Sequence, residues 1–191
     1  SCRVRLCPLC TWRRSIKIQT HTRKILESMQ AGREYEYILV TLTVPNVTGV
    51  ELLDKITDMM KSWGRFQHYI KFKKAVKGWY RGLEVTHNLQ KYKFTYVKKN
   101  GKKQCVMLVD DNGRPISNPS YDTYHPHFHC IFAVNPSYFN SRDYIKHDEW
   151  LAMWQKAMKD PTITQVDVRK VKPKKTDNTG ACFADMIISA V

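Results

Sequence analysis

The run His125-Pro126-His127-Phe128-His129-Cys130-Ile131-Phe132-Ala133-Val134 restricts what this chain can fold into more than any other stretch. Its apolar second half reads as a strand packed into a core, and in an extended segment alternate side chains share a face. His127 and His129 therefore point one way while Phe128 and Cys130 point into whatever packs behind. Two neutral imidazoles held on one face of a stiff strand make two fixed legs of a divalent metal site. The plainer alternative is a pair of exposed histidines on an amphipathic strand. The third histidine, the proline and a nearby carboxylate favour the metal reading.

That carboxylate is Glu84, within Gly78-Trp79-Tyr80-Arg81-Gly82-Leu83-Glu84-Val85-Thr86-His87. Aromatic and β-branched residues favour a strand here, and a period of two places Tyr80, Gly82, Glu84 and Thr86 on one face. A carboxylate between Leu83 and Val85 is costly to bury unless it is paired or bound to metal. The competing reading is that this face is simply wet. Two histidines and one glutamate suit Mn²⁺ or Mg²⁺ with positions left open for a phosphate, and Zn²⁺ would also bind such a set.

The chain carries 32 Lys+Arg against 17 Asp+Glu, a net charge of +15 over 191 residues. Its basic residues cluster at Arg13, Arg14 and Lys17; at Lys71, Lys73, Lys74 and Lys77; at Lys98, Lys99, Lys102 and Lys103; and at Arg169, Lys170, Lys172, Lys174 and Lys175. One cluster is usually a solvated face. Four with this surplus point to a polyanion, and the interleaved Phe72, Trp79, Tyr92, Phe94 and Tyr96 offer rings for unpaired bases, although several must be core. Nucleic acid is favoured over a membrane surface. No apolar run approaches the roughly 18–20 residues of a membrane span, and no basic segment is also a long amphipathic helix.

Cys2, Cys7 and Cys10 form a C-x₄-C-x₂-C string. The close Cys7/Cys10 pair has the spacing of a zinc knuckle, with the fourth ligand left open among an upstream residue, Cys105, Cys182 and His21. An incidental or redox-active cluster is the alternative. Cys105, Cys130 and Cys182 sit beside apolar residues and read as core thiols. Such usage suits a reducing, cytoplasmic setting.

Helical spacing is read from Thr11 to about Gln30, from Glu51 to about Tyr69 and from Asp148 to Met158. Strands are read at Glu36–Val44, around Glu84, at Phe128–Val134 and at Thr164–Val171. Tyr92–Val97 and Gln104–Val109 flank Asn100-Gly101, a strong hairpin signal. Phe183–Val191 begins like a helix. The expected fold is α+β, a central antiparallel sheet flanked by helices, with residues 1–30 a cysteine-rich zinc-knuckle-like segment and helix, and residues 31–191 the main domain.

Four ordered segments, CRVRLCPLCTWRR (residues 2–14), VTLTVPN (40–46), GLEVTHN (82–88) and HPHFHCIF (125–132), resemble the motifs of rolling-circle plasmid replication initiators, a branch of the HUH single-strand endonucleases. The resemblance covers nearly the whole chain. It implies that His127, His129 and Glu84 hold a divalent cation against a scissile phosphate, with His125 in a supporting role. It further implies that a tyrosine attacks to leave a 5′-phosphotyrosyl link and a free 3′-OH. The DNA would be single-stranded or hairpin plasmid origin DNA, contacted by Lys98, Lys99, Lys102, Lys103, Arg169, Lys170 and Lys172. A dimer and a replication helicase are partners the resemblance admits.

In that family the nucleophile follows a segment like Gly180–Val191, whereas all ten tyrosines here lie at or before Tyr144. The nucleophilic tyrosine is therefore expected beyond Val191. Residues 1–191 are expected to bind metal and DNA without forming a covalent link. Two other readings compete: a non-catalytic zinc-ribbon DNA-binding module, and a metallonuclease that uses water.

Overall fold

The structure, a computed structural model, describes residues 7–32 and 34–171. Its centre is a four-stranded antiparallel sheet of order β2-β5-β1-β6, made of β1 (Glu36–Thr43), β2 (Val76–Asn88), β5 (Thr123–Val134) and β6 (Val166–Lys170). The expected α+β class and antiparallel sheet are both present.

The alternation of β1 and β5 divides the sheet into two unlike faces. Ile38, Val40, Leu42, Phe128, Cys130, Phe132 and Val134 point to one side, where α2 (Leu52–Phe66), α3 (Ile70–Ala75) and α4 (His147–Met158) cover them. Met59, Trp63 and Phe66 of α2, Phe72 of α3, and Trp150 and Trp154 of α4 fill this core. Burial of such rings is the main term holding the layers together. Trp154 also donates its indole N–H to the Thr43 carbonyl at 2.8 Å, which ties α4 to the end of β1. The polar positions of β5, His127 and His129, are thereby sent to the opposite face.

The long helix expected from Glu51 to Tyr69 ends at Phe66, and a short α3 follows after Tyr69 takes an extended conformation. The Lys71–Lys77 cluster thus belongs to a helix and strand that also supply the core: Phe72 and Ala75 are buried, while Lys71 pairs with Glu149. The first helix, α1 (Pro8–Gly32), starts earlier than expected, with Pro8 at a position where a missing N–H does no harm.

Between β2 and β5 the chain makes an excursion. β3 (Phe94–Lys99) and β4 (Lys102–Met107) form a separate two-stranded sheet. Asn100 and Gly101 have φ of 52° and 74°, as the two-residue turn of a tight hairpin demands. Gly101→Val is expected to destabilise the hairpin by about 1–3 kcal/mol while leaving the main sheet intact. Amide exchange should quicken in β3 and β4 and stay slow in β5.

Two expectations about the cysteines and their zinc change, and one holds. Cys105 lies exposed on β4 instead of in a core. Cys130 is buried as expected, and burial pushes its thiol pKa well up. His21 lies about 16 Å along α1 from Cys10 by helical rise, too far to share one zinc, whose ligands sit at about 2.0–2.3 Å. Cys2, Cys182, Lys172 and the Phe183–Val191 segment lie outside the described residues.

Candidate metal centre

β5 is an inner strand, paired along its length with β2 and β1. Its register sets Gly82 opposite His129 and Glu84 opposite His127, and on the other side Thr41 opposite His129 and Thr43 opposite His127. Since Gly82 has no side chain, Glu84 can lean along the strand toward His129. Its Oε2 lies 3.0 Å from His129 Nε2 and 3.7 Å from His127 Nε2. The two Nε2 atoms are 3.1 Å apart. The ligand atoms of Glu84, His127 and His129 all lie within 4.8 Å of one another, a group with the geometry to hold a metal ion.

The neighbour of His127 fixes which of its nitrogens carries the proton, and the neighbour of His129 admits the same tautomer. His127 Nδ1 is 3.1 Å from the His125 carbonyl. A carbonyl only accepts, so Nδ1 must be the donor, and in the neutral ring Nε2 is left with its lone pair. His129 Nδ1 is 3.3 Å from the Thr41 hydroxyl, which can accept the proton and leave Nε2 free in the same way. With that tautomer of His129, two lone pairs and a carboxylate oxygen face a common point. Such an arrangement calls for a cation.

Burial grades across the cluster. His127 is buried, His129 is half-buried and Glu84 keeps 48% of its side chain exposed. The expectation that burial would force Glu84 into a partnership is thus corrected. The face at Glu84 is open, and it is the convergence of acceptors that marks the site. An open side is what a substrate phosphate needs.

His125 enters through its backbone, as the acceptor that orients His127. Its own ring lies 5.3 Å from that of His127, and burial, reinforced by His127, lowers its pKa against an opposing hydrogen bond that it donates to the Val44 backbone. Thr41 was not singled out from sequence, although it lies in VTLTVPN and the alternation of β1 puts it on the histidine face. Asp167 was missed as well. It stands opposite Thr41 on β6 and holds Arg169 Nε at 2.7 Å. Leu39, Thr41, His129, Asp167 and Arg169 line a cleft of about 180 Å³ beside the metal cluster.

The other basic candidates fall into two groups. Lys98, Lys99, Lys102 and Lys103 are all exposed at the tip of the β3–β4 hairpin. Register sets Lys98 against Lys103 and Lys99 against Lys102. Arg169 and Lys170 are locally paired, Arg169 with Asp167 and Lys170 with Glu36 at 2.5 Å. Cys7 precedes α1 and Cys10 lies in its first turn.

Residues 1–188 match the sequence pattern of a family described as Replication protein. The chain belongs to the replication protein family. Among this family's curated members, it is 39% identical over 175 residues to a "Protein rep" of Bacillus sp and 38% identical over 173 residues to one of Bacillus amyloliquefaciens. These alignments cover 91% and 90% of the chain but 46% and 41% of the relatives, so the chain spans less than half the length of either. A "Protein rep" of Staphylococcus aureus is 32% identical over 173 residues, covering 90% of the chain and 62% of that protein. No solved structure matches. The family match agrees with the resemblance read from the four motifs. Among the described residues of this replication protein, no helix is long and apolar enough to cross a membrane.

Proposed function

We propose that this chain is the metal-holding and DNA-gripping part of a rolling-circle plasmid replication initiator that nicks one strand of its origin. The observation that carries the reading is the meeting of Glu84, His127 and His129 on the open face of the sheet, with the His125 carbonyl turning one imidazole lone pair into the cluster and Thr41 oriented to do the same for the other. Residues 31–191 would form the nicking domain, and residues 1–30 an appended segment in which Cys2, Cys7 and Cys10 take a structural Zn²⁺.

The donor set fits Mn²⁺ or Mg²⁺: mixed nitrogen and oxygen ligands from three side chains, with the exposed side free for a phosphate. When bound, such an ion polarises a non-bridging phosphate oxygen and fixes the orientation of the phosphodiester. The chain's own part is to hold the three ligands without reorganisation. β5 is locked between β1 and β2, and Phe128, between the two histidines, is anchored in the core. Thr41→Val keeps the shape of the side chain and removes the partner of His129 Nδ1. It is expected to weaken Mn²⁺ binding about 10–100-fold, read by calorimetry; an unchanged affinity would show that the hydroxyl does not orient the ligand.

The attacking group is proposed to be a tyrosine in the further length that the relatives possess. Its oxygen would form a bond to the 5′ phosphate as the bond to the 3′ oxygen breaks, leaving a 5′-phosphotyrosyl link and a 3′-OH able to prime synthesis. The test uses labelled origin DNA, Mn²⁺ and the protein in two lengths. Residues 1–191 should give no adduct that survives denaturation. A chain continued past Val191 should give one, and His129→Ala in the longer chain should remove it. Cleavage that leaves a free 5′-phosphate and no adduct would favour attack by water. An adduct from residues 1–191 would place the nucleophile among Tyr121, Tyr124 or another tyrosine of this chain.

A further inference from the structure

The hairpin between the ligand strands carries a second feature besides its lysines. Phe94, Tyr96 and Lys98 alternate along β3 and share one face with their register partners Met107, Cys105 and Lys103. Tyr92 comes two residues before Phe94, in an isolated bridge with Ser117. Tyr96 is 72% exposed, and Tyr92, Phe94 and Met107 are each about 40% exposed. A core function does not explain rings this open, and a bare two-stranded sheet gains little from them.

The excursion is nevertheless built, not loose. Lys93 N–H donates to the Ile116 carbonyl at 2.9 Å, Ile116 N–H to Leu108 at 2.9 Å, and Leu108 N–H to Lys93 at 2.8 Å. At its root the His87 ring stacks on Tyr124 at 4.2 Å and 7°, and His87 Nε2 meets Asp122 Oδ1 at 2.7 Å. Asn88 and Thr123, the last residues paired across β2 and β5, close the excursion at the end of the sheet that carries Glu84 and His127. The root of the hairpin therefore lies at the sheet end nearest Glu84 and His127.

Charge and spacing identify the occupant. From Lys91 to Val109 there are six lysines and no acidic residue, which selects a polyanion. Rings two residues apart on a strand stand about 6.8 Å from each other, twice the roughly 3.4 Å rise per base of one strand in a duplex. Bases can meet these rings only when unstacked from one another. We propose that Tyr92, Phe94 and Tyr96 form a stacking platform for unpaired bases, with Lys98 and Lys103 on the same face gripping the phosphates. The platform selects single-stranded DNA and sets which phosphate reaches Glu84, His127 and His129. This rests on the nicking function proposed above.

The test measures binding of a fluorescent oligothymidine and of a duplex of equal length to the 1–191 protein, in EDTA and across a salt series. Tyr96→Ala, whose side chain supports no core, should weaken single-strand binding about 5–150-fold, since one stacked base contributes about 1–3 kcal/mol, and Phe94→Ala with Tyr96→Ala should weaken it further. Duplex binding and the salt slope should stay unchanged, and Tyr96→Trp should restore affinity. Equal losses for both DNA forms, no loss for either, or failure of tryptophan to rescue would overturn the platform. So would self-association of the wild-type protein that Tyr96→Ala abolishes, because the face would then be a protein contact. Measurement in EDTA separates this inference from the metal reading: Mn²⁺ binding by the wild type, assayed alongside, stands or falls independently.

Discussion

Replacing His127 and His129 together by alanine is expected to abolish measurable Mn²⁺ binding, a loss of well over the roughly 10–100-fold that follows from disturbing a ligand's orienting partner. Two of the three converging groups vanish, and Glu84 alone, exposed to 48% of its side chain, is an ordinary surface carboxylate. The fold should survive. His127 is buried, but its Nε2 faces the cluster and its Nδ1 bonds only to the His125 carbonyl, so truncation should cost about 1–2 kcal/mol, within the usual range for point changes. Calorimetric titration alongside thermal unfolding checks both halves. Glu84→Gln, which keeps the shape and removes the charge, should weaken binding by a smaller factor. Retained Mn²⁺ affinity in the double variant would remove the metal centre from this face.

Neutralising Lys98, Lys99, Lys102 and Lys103 is the second change with a large expected effect. Each phosphate contact on a single strand contributes about 0.7 to the slope of log affinity against log salt, so four lost contacts should flatten that slope by up to roughly 3. Stability should move the other way. The register faces Lys98 with Lys103 and Lys99 with Lys102, and like charges directly opposite each other destabilise a sheet by some tenths of a kcal/mol per pair. The neutral variant should therefore unfold at the same or a higher temperature while binding DNA more weakly. A protein that loses stability and keeps its salt slope would show these lysines to be solvated side chains only.

The features legible in sequence are those that depend on local period. Alternation in β5 separates His127 and His129 from Phe128 and Cys130, and the structure places them on opposite faces. Asn100-Gly101 announces a turn that needs two positive φ values, and it is there. Glu84 was found as a partner of the histidines, but for a reason that does not hold, since its face is open. What period cannot reveal is register. Thr41 acquires its place beside His129, and Asp167 its place beside Thr41, only when β1 is threaded between β5 and β6. α3 was not read at all, because six residues are too few to show a helical period. Cys105 was misplaced because apolar neighbours on a two-stranded sheet need not be covered. Arg169 and Lys170 look alike in a charge run, and each proves to have an acidic neighbour of its own.

The excursion from Asn88 to Thr123 leaves and re-enters the sheet at a single closed pair. Its ends are held together by strands that bind each other regardless of what lies between them, and doubling such an insertion adds only about 0.6 kcal/mol of closure entropy. Length and sequence in this region can thus drift or be exchanged between plasmids without disturbing the ligands a few residues away. On the proposed function, exchanging this one hairpin would change how the protein grips DNA while Glu84, His127 and His129 stay in place.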